Sequence, residues 1–139
     1  QSGLLGVSGI SADMRRLRGD GSDAAKRAID QFTHRIVRES GALVACLGGL
    51  DVLAFSGGIG ENDAVLRAQV CERLGWLGVK IDTERNTKAR ADLSAQPIHA
   101  ADSTVEVWVI PTDEGRVAAR EAAQLIGPAA AVAVAAEMA

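Results

Sequence analysis

An α/β fold with a mostly parallel sheet and helical crossovers is predicted from three features of these 139 residues. Short apolar runs at residues 50–55 and 104–110 alternate with longer stretches whose apolar positions recur at helical spacing. Each run gives way to a junction rich in Gly, Ser, Pro, Thr and Asp, the residue types of strand-to-helix turns. Parallel neighbours need long connections, and the intervening helical stretches supply them. Apolar residues make up 47% and aromatics only 3%, so the core must be aliphatic.

Ser22 is placed to cap a helix reaching about residue 47, with Ala25, Ala28, Ile29, Phe32, Ile36, Leu43 and Leu47 on its apolar stripe. A bend is expected at Gly41, with Asp30, Arg35 and Arg38 toward water; Gly48-Gly49 ends the helix. Residues 50–55 are apolar enough for a strand buried on both faces. Residues 56–62 read as a glycine loop. Asp63 opens a helix through Val65, Leu66, Val70 and Leu74, stopped by Gly75. A short strand at 78–81 and a helix capped by Asp82 and running to about residue 92 follow. The clearest strand is Thr-Val-Glu-Val-Trp-Val-Ile at 104–110, ended by Pro111; a helix over about 113–126 closes on Gly127-Pro128. Residues 1–127 thus form part of one domain, and the Ala- and Val-rich tail 128–139 reads as frayed or disordered.

Composition excludes several function classes. Fifteen basic residues against 18 acidic ones, net −3, leave no surplus for phosphate backbones, so no nucleic-acid partner is expected. No apolar run reaches the roughly 18 residues of a membrane span. Cys46 and Cys71 lie 25 residues apart in helical patterns without a CxxC pair, and read as buried reduced thiols of a cytoplasmic protein. His34 and His99 stand alone, which argues against a zinc site or a histidine-activated nucleophile. The amino terminus has neither Met nor a basic leader and reads as an internal start.

Ligands on parallel sheets gather at the C-terminal ends of strands. Two such junctions stand out: Ser-Gly-Gly-Ile-Gly-Glu-Asn at 56–62 and Pro-Thr-Asp-Glu at 111–114, with a third Gly- and Ser-rich loop at 6–15. Three glycines in four residues permit positive φ and close backbone approach, so that amides can meet an oxygen-rich ligand. A tight structural turn would use the same residues, Asn62 and Asp63 being good caps. A dinucleotide fingerprint is suggested by Gly58-x-Gly60 and by Asp82, 22 residues beyond Gly60. It fails at the third glycine position, where Asp63 would compete with a pyrophosphate.

Ser-Gly-Ile-Ser-Ala-Asp-Met-Arg (8–15), Ala-Phe-Ser-Gly-Gly-Ile-Gly-Glu-Asn (54–62) and Val-Ile-Pro-Thr-Asp-Glu (109–114) closely resemble the C-terminal third of the acetate kinase family. The likeness runs from residue 2 to about 126. It implies an incomplete ribonuclease-H-like C-terminal domain of the actin-like ATPase superfamily, part of a kinase that transfers the γ-phosphoryl of ATP to acetate, reversibly, giving acetyl phosphate and ADP. By resemblance, Gly58, Ile59, Gly60, Glu61 and Asn62 match the adenosine and phosphate loop. Asp13, Met14 and Arg15 match a second nucleotide-contacting segment, with Arg15 against adenine or ribose, and Glu114 matches the glutamate associated with Mg²⁺.

Asp113 stands where the family commonly has Asn, and Gly115 where it has a second Glu. The family's acyl-site residues and its early C-terminal-domain strands have no counterpart here. The chain therefore reads as a piece of a longer kinase, inactive alone, with no catalytic residue of its own. The family also implies a homodimer with ATP and acetate as substrates. Propionate or butyrate kinase is the near alternative, and a non-catalytic actin-like nucleotide-binding module the distant one. Two expectations concern single residues: Gly60→Val weakens nucleotide binding far more than folding, and Glu114 holds Mg²⁺ rather than merely complementing a helix dipole.

Overall fold

The computed structural model describes residues 3–90, 94–112 and the single position 122. The predicted helix at 113–126, Asp113, Glu114, Gly115 and the tail 128–139 lie outside the described residues, apart from position 122.

Three helices come first: α1 (Leu4–Ser8), α2 (Met14–Asp20) and α3 (Asp23–Leu47). The loop expected at 6–15 is therefore partly helical, with only the segment between α1 and α2 left open. Ser22 caps α3 by accepting from the Ala25 amide, as its sequence position requires, and Gly48 closes the helix in the left-handed region at φ 77°. The helix assignment runs through Gly41 without a break. Ala25, Ala28 and Val44 are buried on it, whereas Leu43 and Leu47 stay 63% and 75% exposed, because α3 packs on α1, α2 and α5 and nothing described covers those two.

The first strand, β1 (Val52–Phe55), pairs in parallel with β3 (Glu106–Val109); β2 (Gln96–Pro97) pairs antiparallel on the far side of β3. The sheet is thus mixed rather than mostly parallel, in the order β1-β3-β2. The two-residue β2 lacks any alternating pattern and escapes sequence reasoning. The strand expected at 78–81 contributes only an isolated bridge between Ile81 and His99. β1 is not buried on both faces: Val52 is 51% exposed and only Phe55 is buried, since β1 is an edge strand of the described sheet. β3 is the central strand, and Val105, Val107 and Val109 alternate inward from it and its approach.

The crossover between β1 and β3 contains α4 (Gly57–Asn62), α5 (Ala64–Arg73), a 3-10 turn (Gly75–Leu77) and α6 (Thr83–Lys88). Asp63 caps α5 and Asp82 caps α6, each accepting the amide three residues on. Helix α6 ends at Lys88, short of the expected residue 92. Leu66, Val70, Cys71 and Leu74 bury against Val79, Ile98 and the β3 valines. A second cluster joins Leu4, Met14, Leu17, Ala25 and Ala28. Phe32 and Ile59 pack against both clusters, so Ile59 ties the glycine segment to the α1–α3 layer. Cys71 is buried as expected, and desolvation pushes its thiol up to about 12; Cys46 is exposed on α3, contrary to expectation.

Candidate functional site

The glycine stretch is not an open loop. Residues 57–62 wind into α4, and the left-handed backbone occurs at Gly57 (φ 71°), where the chain turns out of β1. Gly60 has no positive φ. A Cβ there would lie 3.4 Å from the Phe55 carbonyl carbon, in ordinary contact, so α4 packs close on the end of β1 with room for a methyl and little more.

Glu61 is buried, at 6% exposure. Its Oε1 accepts the Gly57 amide at 2.7 Å, the Thr112 amide at 2.8 Å and the Thr112 hydroxyl. The Thr112 hydroxyl also accepts from the Gly57 amide at 2.8 Å. These bonds, the Thr112 hydroxyl above all, hold the Glu61 carboxyl below its ordinary value against the opposing effect of burial. They join the exits of β1 and β3, which lie side by side because Phe55 pairs with Val109 and the Ile110 amide donates to the Phe55 carbonyl.

Behind α4 lies Arg67, 1% exposed, with no carboxylate within ion-pair distance among the described residues. Nη1 donates to the carbonyls of Gly60 and Glu61, both at 2.8 Å, closing the C-terminal end of α4. Nε reaches Asn86 Oδ1 at 2.7 Å and Nη2 the Asn86 carbonyl at 2.8 Å, while Asn86 Nδ2 donates to the Ala64 carbonyl. Burial lowers the guanidinium pKa. Carbonyl dipoles satisfy this charge in place of an anion.

In front of α4 opens a cleft of about 460 Å³. One wall carries Asp13, Met14, Arg15 and Arg18 from α2 and its cap; the other carries Gly58, Ile59, Asn62 and Asp63. The two nucleotide segments expected from the sequence, 45 residues apart, therefore face each other. Gly60 and Glu61 do not line this cleft. Asp13 caps α2 through the Arg15 amide at 2.8 Å and also pairs with the Arg15 guanidinium, which keeps its carboxyl below the usual range. The Arg15 side chain is 91% exposed. Met14 is 4% exposed and belongs to the second core cluster as much as to the wall. Asn62 turns its amide back to the Gly58 carbonyl at 2.9 Å.

Sequence reasoning passed over the pair that spans this cleft. Arg18 Nε donates to Asp63 Oδ2 at 2.9 Å, with the side chains 27% and 13% exposed, and Asp63 Oδ1 caps α5. Arg18 Nη2 is buried without a hydrogen-bond partner among the described residues. Arg67 was also overlooked, although it recurs with Val70 and Leu74 on the apolar stripe of α5, where a charge signals a buried role. A larger, more open hollow of about 560 Å³ lies between α3, β1, α4 and α5, lined chiefly by apolar side chains such as Phe32, Ile36, Leu53 and Phe55.

Among the described residues, no group of three or more His, Cys, Asp or Glu side chains converges as a metal cluster. Magnesium does not need one, since it keeps several waters and takes one or two carboxylates alongside phosphate oxygens. Between the exits of β1 and β3, Glu61 has Oε1 occupied by three donors, and Glu114 lies outside the described residues.

The sequence profile of the acetokinase family matches residues 1–120. An acetate kinase of Rhodopseudomonas palustris strain TIE-1 is 51% identical over 120 residues, covering 86% of this chain and 29% of that protein. One from Rickettsia felis is 47% identical over 121 residues, covering 87% and 30%. Among solved structures, Porphyromonas gingivalis acetate kinase superposes with TM-score 0.76 at 37% identity, over 86% of this chain and 30% of that one. A propionate kinase from Francisella tularensis superposes with TM-score 0.70 at 36% identity, over 82% and 29%. The chain thus spans about 30% of the length of the relatives it matches, and its partial α/β fold is that of the corresponding part of these kinases, as the ribonuclease-H-like expectation required. With a profile match across most of its length and an identity above one half to a named relative, the chain belongs to the acetokinase family.

Proposed function

We propose that these residues form the nucleotide side of an ATP-dependent acyl kinase that phosphorylates acetate to acetyl phosphate, reversibly. The observation that carries this reading is the 460 Å³ cleft, which brings the segments at 13–15 and 58–62 face to face in a chain of the acetokinase family. Arg15, exposed on the cleft and paired with Asp13, is by family resemblance the side chain that lies against adenine or ribose. Gly58 and Ile59 offer a wall with no long side chain between backbone and ligand. The unpartnered Arg18 Nη2 is a donor available to an acceptor-rich ligand. By family resemblance Glu114 is assigned to Mg²⁺, which would neutralise phosphate charge there.

In-line phosphoryl transfer needs groups from both sides of a cleft, and the acyl-side groups belong outside the residues described. By family resemblance the protein works as a cytoplasmic homodimer. Among the described residues no helix is long and apolar enough to cross a membrane. The test is hydroxamate detection of acyl phosphate from the complete gene product with MgATP and, separately, acetate, propionate and butyrate. Turnover highest with acetate is expected. Activity restricted to butyrate overturns the substrate assignment; nucleotide binding without any acyl phosphate favours the non-catalytic module.

A further inference from the structure

Helix α2 has two faces. Met14 and Leu17, one turn apart, are buried in the second core cluster; Arg15 and Arg18, also one turn apart, line the cleft. Both α2 and α5 pack chiefly on α3 rather than on each other. Two ties cross the cleft between described residues: Ile59 packs on the α2 cluster, and Arg18 Nε donates to Asp63 Oδ2 at 2.9 Å. Apolar packing has no direction, so Ile59 limits how far the walls part but not how α2 is rolled about its axis. A hydrogen bond does have direction. Asp63 gives it a fixed anchor: the residue stands at the joint of α4 and α5, and its Oδ1 is committed to the Leu66 amide at 2.9 Å. Among the described residues, this is the single hydrogen bond between α2 and the α4–α5 wall. As a stabilising device the pair is poor, because one bond replaces the bidentate form and Arg18 Nη2 is buried without a partner among the described residues. Its geometry accounts for it better than its energy.

We propose that the Arg18–Asp63 pair is a strut that sets the roll of α2 against the α4–α5 wall, and with it the place at which Arg15 meets a ligand. Arg18 and Asp63 are thus positioning residues of the cleft. The inference rests on the nucleotide reading above for the identity of the ligand, and goes beyond it by giving the two walls a defined tie. Charge alone assigns Asp63 the opposite effect: a carboxylate in the wall repels an anionic nucleotide, so that losing it would tighten binding. The strut requires that losing it weakens binding.

The experiment uses the complete gene product with Arg18→Met, Asp63→Asn and the double variant. Methionine keeps an unbranched chain without the donor. Asparagine keeps an oxygen for the Leu66 amide and caps a helix as well as aspartate does, but turns an NH2 toward Arg18 Nε, where no bond forms. ATP affinity is measured by calorimetry, the freedom of α2 by hydrogen exchange of its amides, and stability by melting temperature. ATP affinity falls about fivefold in Asp63→Asn and at least as far in Arg18→Met, and the double variant loses no more than Arg18→Met, since both substitutions break one bond. The α2 amides exchange faster in all three. Asp63→Asn binding ATP as well as wild type, or more tightly, overturns the inference, whatever happens to the melting temperature. Losses that add in the double variant overturn it too, because the two residues then act separately. So does weakened binding with unchanged exchange in α2, which makes both residues direct contacts. Should Arg18→Met fail to fold, Asp63→Asn is judged by the same affinity and exchange criteria. A wild type that binds no ATP overturns the nucleotide reading and this inference with it; a wild type that binds ATP beside variants of unchanged affinity overturns this inference alone.

Discussion

The two walls of the cleft are built in opposite ways. The α4 wall is fastened from behind: Arg67 closes its C-terminal carbonyls and reaches α6 through Asn86, Glu61 fastens its start to Thr112, and Gly60 packs close on Phe55. The α2 wall offers Arg15 to water at 91% exposure, with Asp13 as its partner among the described residues. Buried polar groups are costly to leave unpaired, whereas exposed ion pairs contribute little. One wall therefore supplies rigidity and the other supplies a side chain free to meet a ligand. The Arg18–Asp63 pair, part-buried, ties them together.

The largest test of this contrast is Arg67→Met. It removes the donor to the Gly60, Glu61 and Asn86 carbonyls and to Asn86 Oδ1, and the expected loss of stability is on the order of 3–5 kcal/mol. Urea titration followed by tryptophan fluorescence measures it. A loss no greater than that of an exposed-pair variant would break the comparison.

Gly60→Val is intermediate. Its Cβ meets Phe55 in ordinary contact at 3.4 Å, but the γ-methyls crowd the end of β1, and a cost of about 1–3 kcal/mol is expected. Gly60→Ala, lacking those methyls, keeps near-wild-type stability. This revises the expectation drawn from sequence that binding would suffer far more than folding. Unchanged melting with abolished ATP affinity would restore the earlier expectation.

Arg15→Ala has the smallest effect on folding, within about 0.5 kcal/mol, because the pair it breaks is on the surface. ATP affinity should nevertheless fall several-fold by calorimetry. If affinity holds and stability drops instead, the α2 wall is structural and the contrast between the walls disappears.

Caps and punctuation were the most legible features, because each acts within a few residues of itself. Ser22, Asp63 and Asp82 cap the helices they precede, and Gly48 ends α3. The β3 valines announced their inward face by alternation alone. The motifs at 8–15 and 54–62 named the family and pointed to two segments that do share a cleft. What sequence misjudged were outcomes set by partners: β1 has a run apolar enough for two buried faces, but lies at the edge of the described sheet.

By itself, then, the sequence determined the caps of α3, α5 and α6, the aliphatic core, the family and the two cleft-forming segments, since local propensity and spacing are properties of neighbouring residues. Only the tertiary structure decided that Glu61 answers to Thr112, that Arg67 answers to the carbonyls of α4, and that Arg18 reaches Asp63. Each of these is a hydrogen bond whose worth depends on burial and on a partner brought close by the β1–β3 pairing or by the packing of α2, α5 and α6. No spacing rule encodes such a meeting, because the distance between the groups is set by the fold and not by the chain between them.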